Sequence, residues 1–222
     1  MSKRIIILGT GSSLTQCDFA PDCEVWGVNG AYMVKDIMPE EHRDKFHMDK
    51  LFMTDVLFSA EGRLNFDIKT MNRIAEEENC EIISMRNMRL GKHRLNCTLL
   101  PYKKLVERFA CDYFTDTITY MLAYALYKHS YLAMNPNGVI RLELKKPLTL
   151  RLFGIDMVTN IEYQVSKGGV EYWIGIARGL GCEITVSKGS AIMANPRGAP
   201  YGLHIPYNVD EVDHYGLLDE VD

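Results

Sequence analysis

The chain predicts an α/β fold, a three-layer sandwich around a mostly parallel central sheet over residues 1–190, with a C-terminal extension over 191–222. Three observations carry this. Arg4-Ile5-Ile6-Ile7-Leu8 is a run of apolar residues suited to a strand covered on both faces, as strands of parallel sheets are. That run breaks into Gly9-Thr10-Gly11-Ser12-Ser13, a turn from a strand into the next segment. Apolar runs of strand length then alternate with helical periodicity as far as Val186. At 222 residues the chain fits one such unit, able to bury on the order of 70% of its unfolded surface.

The elements follow in order. Glu24-Val25-Trp26-Gly27-Val28-Asn29 reads as a second strand and Lys50-Leu51-Phe52-Met53-Thr54-Asp55 as a third, both ending in polar residues. Between them, Ala31 to His47 is mixed and charged, as short helices with loops would be. Leu64 to Glu78 places Phe66, Ile68, Met71, Ile74 and Ala75 at helical spacing, and Glu81 to Met85 is a fourth strand. Arg86 to Arg94 is basic, either a solvated loop or a segment that meets an anionic substrate. Thr115 or Asp116 caps a central helix carrying Ile118, Met121, Leu122, Ala125 and Leu126 on its apolar positions. Pro136-Asn137-Gly138 is a turn, and Arg141 to Lys146 suggests a hairpin or surface insertion before the strand Leu148 to Ile155. Gly168-Gly169 precedes an amphipathic helix over Val170–Gly181, and Cys182 to Val186 is the last strand. The Pro-, Gly- and Tyr-containing tail reads as a wrapping extension or a partner contact.

Composition narrows the function classes. A net charge of −4 and a pI near 5.9 argue against duplex nucleic-acid binding, which draws on many Lys/Arg–phosphate contacts. No run approaches 18 uninterrupted apolar residues, and Met1-Ser2-Lys3-Arg4 leads straight into a strand; the expectation is a cytoplasmic protein with no membrane partner. Cys17, Cys23, Cys80, Cys97, Cys111 and Cys182 form no CxxC pair, so they read as reduced structural thiols.

The loop Gly9-Thr10-Gly11-Ser12-Ser13 combines backbone amides with hydroxyl donors at the carboxyl end of the first strand, where open α/β sheets bind phosphate groups. It lacks the third glycine of the dinucleotide fingerprint and the lysine of a P-loop, and an ordinary strand-to-helix turn would read the same way. Taken together, Ile6 to Leu14, Trp26-Gly27-Val28-Asn29, Tyr113 to Thr117 with the helix Ile118 to Tyr127, and Leu152 to Met157 resemble the bacterial sialyltransferases that use CMP-sialic acid. They also resemble motility accessory factors, archaeal 6-hydroxymethylpterin diphosphokinases and phage proteins of similar length. The resemblance implies a Rossmann-like nucleotide-binding core. It places Gly9, Thr10, Gly11, Ser12, Ser13, Asn29, Thr54, Asp55, Thr115, Asp116 and Thr117 around a donor nucleotide or nucleotide sugar. Two departures stand out: Thr115-Asp116-Thr117 replaces the family's Thr-Ser-Gly, and the family's catalytic histidine has no counterpart from Thr159 to Gly169.

Sugar transfer needs a stabilised leaving phosphate and a base for the acceptor hydroxyl. Asp156 at a strand's carboxyl end is the leading base candidate, followed by Asp116, Glu171 and His204; the bland roles are a loop hydrogen bond, a helix cap, a first-turn acid and a surface residue. Asp55, Asp116 and Asp156 could instead converge on Mg²⁺ and serve pyrophosphoryl transfer. Tyr163, Tyr172 and Trp173 offer a stacking surface or core packing. Pro200-Tyr201-Gly202-Leu203-His204 is placed to fold back as a lid, and Leu203, Ile205 and Tyr207 suggest a homo-oligomer. Three expectations result: a glycosyltransferase-like enzyme, a non-catalytic nucleotide binder of viral type, and a Mg-dependent pyrophosphoryl transferase.

Overall fold

The computed structural model describes residues 2–59, 61–157 and 161–194. Strands β1 (Lys3–Leu8), β2 (Cys23–Val28), β3 (Lys50–Met53) and β4 (Glu81–Ser84) form close to their expected bounds. Short 3₁₀ segments over Ser12–Gln16 and Asn29–Ile37, helix α1 (Glu40–Arg43) and helix α2 (Ile68–Glu77) connect them. The basic segment folds into a small hairpin of β5 (Arg89–Leu90) and β6 (His93–Arg94). Two elements have no counterpart in the sequence reading: β7 (Thr98–Leu99), too short for any periodicity to register, and α3 (Tyr102–Phe109). The rest are α4 (Thr117–His129), β8 (Ser130–Met134), β9 (Ile140–Leu144), β10 (Leu148–Phe153), α5 (Ile161–Gly179) and β11 (Glu183–Val186).

Seven strands build one sheet in the order β11-β10-β1-β2-β3-β4-β7, and every pairing is parallel. Alternation along the strands divides the core. Ile5, Ile7, Trp26, Phe52, Leu150 and Leu152 face α3, α4 and α5. Ile6, Leu8, Val25, Leu51 and Ile82 face α2 and the two 3₁₀ segments. This is the three-layer sandwich of a Rossmann-like fold. Ile5 to Leu8 are each 0% exposed, and each contributes about 2 kcal/mol of burial, which explains the unbroken apolar run.

Helix α4 is buried almost all round: Thr117, Ile118, Thr119 and every residue from Met121 to Leu126 are buried. Its first turn is closed by a capping box: Thr119 N donates to the Asp116 carboxylate at 2.9 Å, and Asp116 N donates to the Thr119 hydroxyl. Helix α5 differs from expectation, because Gly168 and Gly169 lie within it and not before it. The reason is tertiary: a Cβ at Gly169 would sit 2.1 Å from the Thr115 Oγ1, so only glycine lets the segment before α4 approach this closely. No helix among the described residues is long and apolar enough to cross a membrane. The compact unit closes at Ile192; His204, the segment Pro200–His204, Leu203, Ile205 and Tyr207 lie outside the described residues.

Candidate functional site

Strand order reverses between β1 and β10, so the crevice beyond their carboxyl ends is where an open α/β sheet is built to take a ligand. The Gly9–Ser13 loop lies there, and it is stitched to the loop after β10. Gly9 N donates to Phe153 O at 2.8 Å and Gly11 N to Gly154 O at 2.8 Å. Ser13 N and the Ser12 hydroxyl each donate to the Asp156 Oδ2 at 3.1 Å, and the Ser13 hydroxyl donates to the Asp156 Oδ1. Gly154 N in turn donates to the Ser13 Oγ at 3.0 Å. Close approach accounts for the glycines: a Cβ at Gly11 would fall 2.6 Å from the Asp156 Oδ2, and Gly154 adopts φ +66° against the Gly9 carbonyl. The chain's own carboxylate thus occupies the position that the loop offers to an anion.

Residues 187–192 are bonded to the same two loops. Ser187 Oγ donates to Ser13 Oγ at 2.7 Å, Ser190 Oγ to Ile155 O at 2.6 Å, and Ala191 N to Asp156 O at 2.8 Å. Gln16 and Lys188 add a reciprocal pair, at 2.9 and 3.0 Å. None of Gln16, Ser187 or Ser190 stands out in the sequence, because a lone serine or glutamine carries no periodic or motif signal. Thr10 and Ser12 stay exposed on the loop's outer side.

Other residues expected at the site lie just past β2 and β3 and at the start of α4. Asn29, at φ +38° just past β2, turns its side chain so that Nδ2 donates to the Asp55 Oδ2 at 2.8 Å. An ionised carboxylate only accepts, so this bond fixes the amide's orientation. The Asn29 Oδ1 is then buried and accepts no hydrogen bond. Thr54 and Thr117 share a hydroxyl–hydroxyl bond at 2.5 Å that ties the end of β3 to the first turn of α4. Thr115 donates to Ser166 O of α5 at 3.1 Å. The basic segment leaves the same edge of the sheet after β4, with Arg86, Arg89, Lys92 and Arg94 exposed.

The three aspartates proposed for a metal serve three different local structures: Asp55 holds Asn29, Asp116 caps α4, and Asp156 closes the loop. Among the described residues no group of three or more His, Cys, Asp or Glu is gathered to hold a metal ion. Glu171 pairs with Lys167 one turn away on α5, at 3.4 Å. Trp173 is a core residue, 0% exposed, whose Nε1 donates to Tyr113 O at 2.8 Å. Tyr172 is exposed and meets Tyr113 edge-on, while the Tyr163 side chain lies outside the described set. The cysteines are free thiols, and burial pushes Cys17 and Cys80 up to about 12. No family profile, curated protein or solved structure matches the chain.

Proposed function

We propose that the protein binds a nucleotide-activated sugar in the crevice at the carboxyl ends of β1, β2 and β3, and transfers the sugar to an acceptor. One observation carries this reading: the exposed Thr10 and Ser12, the Asn29–Asp55 pair and the Thr54–Thr117 pair all line one sheet edge beside the reversal of strand order. The exposed Thr10 hydroxyl and the positive end of the α4 dipole suit a leaving phosphate. The unsatisfied Asn29 Oδ1 suits a hydrogen-bond donor such as a ribose hydroxyl, since an orphaned acceptor costs about 1–3 kcal/mol until it is paired. In the transfer, the acceptor oxygen bonds the anomeric carbon as the bond to phosphate breaks, and the acceptor proton goes to a carboxylate.

The identity of that base favours a second reading. Asp156 already accepts from three donors on Ser12 and Ser13, so binding without turnover fits the same crevice. A thermal-shift series with CMP, UDP, GDP and ADP and their sugars, followed by mass spectrometry of the stabilising ligand, separates the two. Ligand at a hundred times its Kd raises stability by about 2.7 kcal/mol, and Asn29→Ala should weaken binding about tenfold. A cleaved sugar supports transfer, and an intact one supports sequestration. Absence of any stabilising nucleotide, or unchanged affinity in Asn29→Ala, refutes the crevice as the site.

A further inference from the structure

The hairpin of β8 and β9 stands apart from the central sheet as a two-stranded ribbon. Such ribbons are marginal in water on their own. This one is also apolar on one face: Leu132, Met134 and Ile140 are 53%, 69% and 57% exposed and share that face with Leu142.

The backbone of β9 has a definite parity. Lys145 N donates to His129 O at 2.8 Å and Asn135 N to Val139 O at 3.0 Å. In an antiparallel ladder, residues 139, 141, 143 and 145 therefore turn their N–H and C=O groups toward β8, and Ile140, Leu142 and Leu144 turn theirs outward. Among the described residues no strand pairs with that outer edge.

We propose that the β9 edge pairs with the β9 edge of a second copy of this chain, antiparallel and about a two-fold axis through Leu142. Two independent features select this occupant and this register. In an antiparallel pair the axis passes through one residue of each strand, and only an axis through Leu142 lets Ile140, Leu142 and Leu144 all pair with one another. Reversing Ile140-Arg141-Leu142-Glu143-Leu144 on itself about that residue sets Arg141 opposite Glu143 of the other copy, twice, with Leu142 on Leu142 and Ile140 on Leu144. Arg141 and Glu143 then occupy the non-hydrogen-bonded positions, where side chains approach most closely. Across the ribbon Arg141 stands opposite the uncharged Ala133, while Glu143 accepts from the Tyr131 hydroxyl at 2.8 Å and keeps a second oxygen for the incoming guanidinium. The β8 edge, Ser130-Tyr131-Leu132-Ala133-Met134, opposes no charges when reversed. The pairing is isologous, so it closes at two copies and removes an exposed edge. Its small area makes the dimer weak and concentration-dependent.

Sedimentation equilibrium of the full chain over a concentration series tests this, with circular dichroism to confirm that each exposed variant is folded. R141E and E143R should each raise the dimer Kd about tenfold, since each turns two attractive pairs into repulsive ones. The double variant R141E/E143R should dimerise like wild type, and an equimolar mixture of the two single variants should form a heterodimer, because opposite charges meet again in both positions. A wild-type chain that stays monomeric at every concentration overturns the proposal and leaves the edge to the chain's own 193–222 segment or to another protein. A dimer indifferent to both reversals also overturns it, by moving the contact to a different face.

Discussion

Asp156 shows how one residue type in one place can serve structure or chemistry. Its carboxylate holds the Gly9–Ser13 loop through two hydroxyls and an amide. Hydrogen bonds to an ionised group are worth about 1.5–3 kcal/mol. Asp156→Ala should therefore lower unfolding stability in urea by about 2–3 kcal/mol, and Asp156→Asn by less, because the amide oxygen can still accept. A purely catalytic Asp156 would leave the urea midpoint unchanged in both variants. Sequence reasoning placed Asp156 at the correct edge of the sheet. Its partners, 143 and 144 positions away, could not be read from any local pattern.

Helix α4 is where local sequence and tertiary packing agree. Asp116 at the N-cap, Thr119 at N3 and the apolar positions that follow specify its start and its buried faces. Asp116→Ala should cost about 1 kcal/mol in equilibrium unfolding, whereas Asp116→Asn, an equally good cap, should cost only a few tenths. If Asp116→Asn nonetheless lost catalytic turnover while keeping its unfolding midpoint, the carboxylate would have a chemical role beside its cap. Helix α5 is the contrasting case. A Gly168-Gly169 pair signals a boundary by local rules, and the signal fails because Thr115 needs the space that a side chain at 169 would fill. The seam between the two helices decided the position of that boundary.

Across the whole sheet, a charge ladder spans the amino ends of four adjacent strands. Lys3 meets Glu24 at 2.5 Å, Glu24 meets Lys50 at 3.3 Å, and Lys50 meets Glu81 at 2.8 Å. Burial raises the Glu24 and Glu81 carboxyls, but the lysine contacts outweigh it and leave both below the ordinary 4.5. Burial lowers the Lys50 ammonium, and its two carboxylates more than offset this, leaving it above 10.5. The sign follows: the carboxylates' contribution is complete above pH 4.5 and is lost as pH falls through their depressed values, and that of Lys50 is lost only as pH rises past its raised one. The melting-temperature gap between wild type and Lys50→Ala should therefore be widest near neutrality and narrow as Glu24 and Glu81 protonate. A gap independent of pH would show that Lys50 acts through packing alone.

What the sequence determined by itself was everything that depends on neighbours along the chain. Ile5 to Leu8 as a doubly covered strand, the strand–helix alternation and a cap at Thr115 or Asp116 follow from periodicity and local hydrogen bonding, which act over a few residues. Only the tertiary structure decided which carboxylate fills the Gly9–Ser13 loop, that Ser187 bonds to Ser13 and Ser190 to Ile155, and that Asn29 and Thr54 find partners in Asp55 and Thr117. Those bonds join segments brought together by the order of strands in the sheet, and strand order is set by the global balance of core burial, to which no single stretch of sequence holds the key.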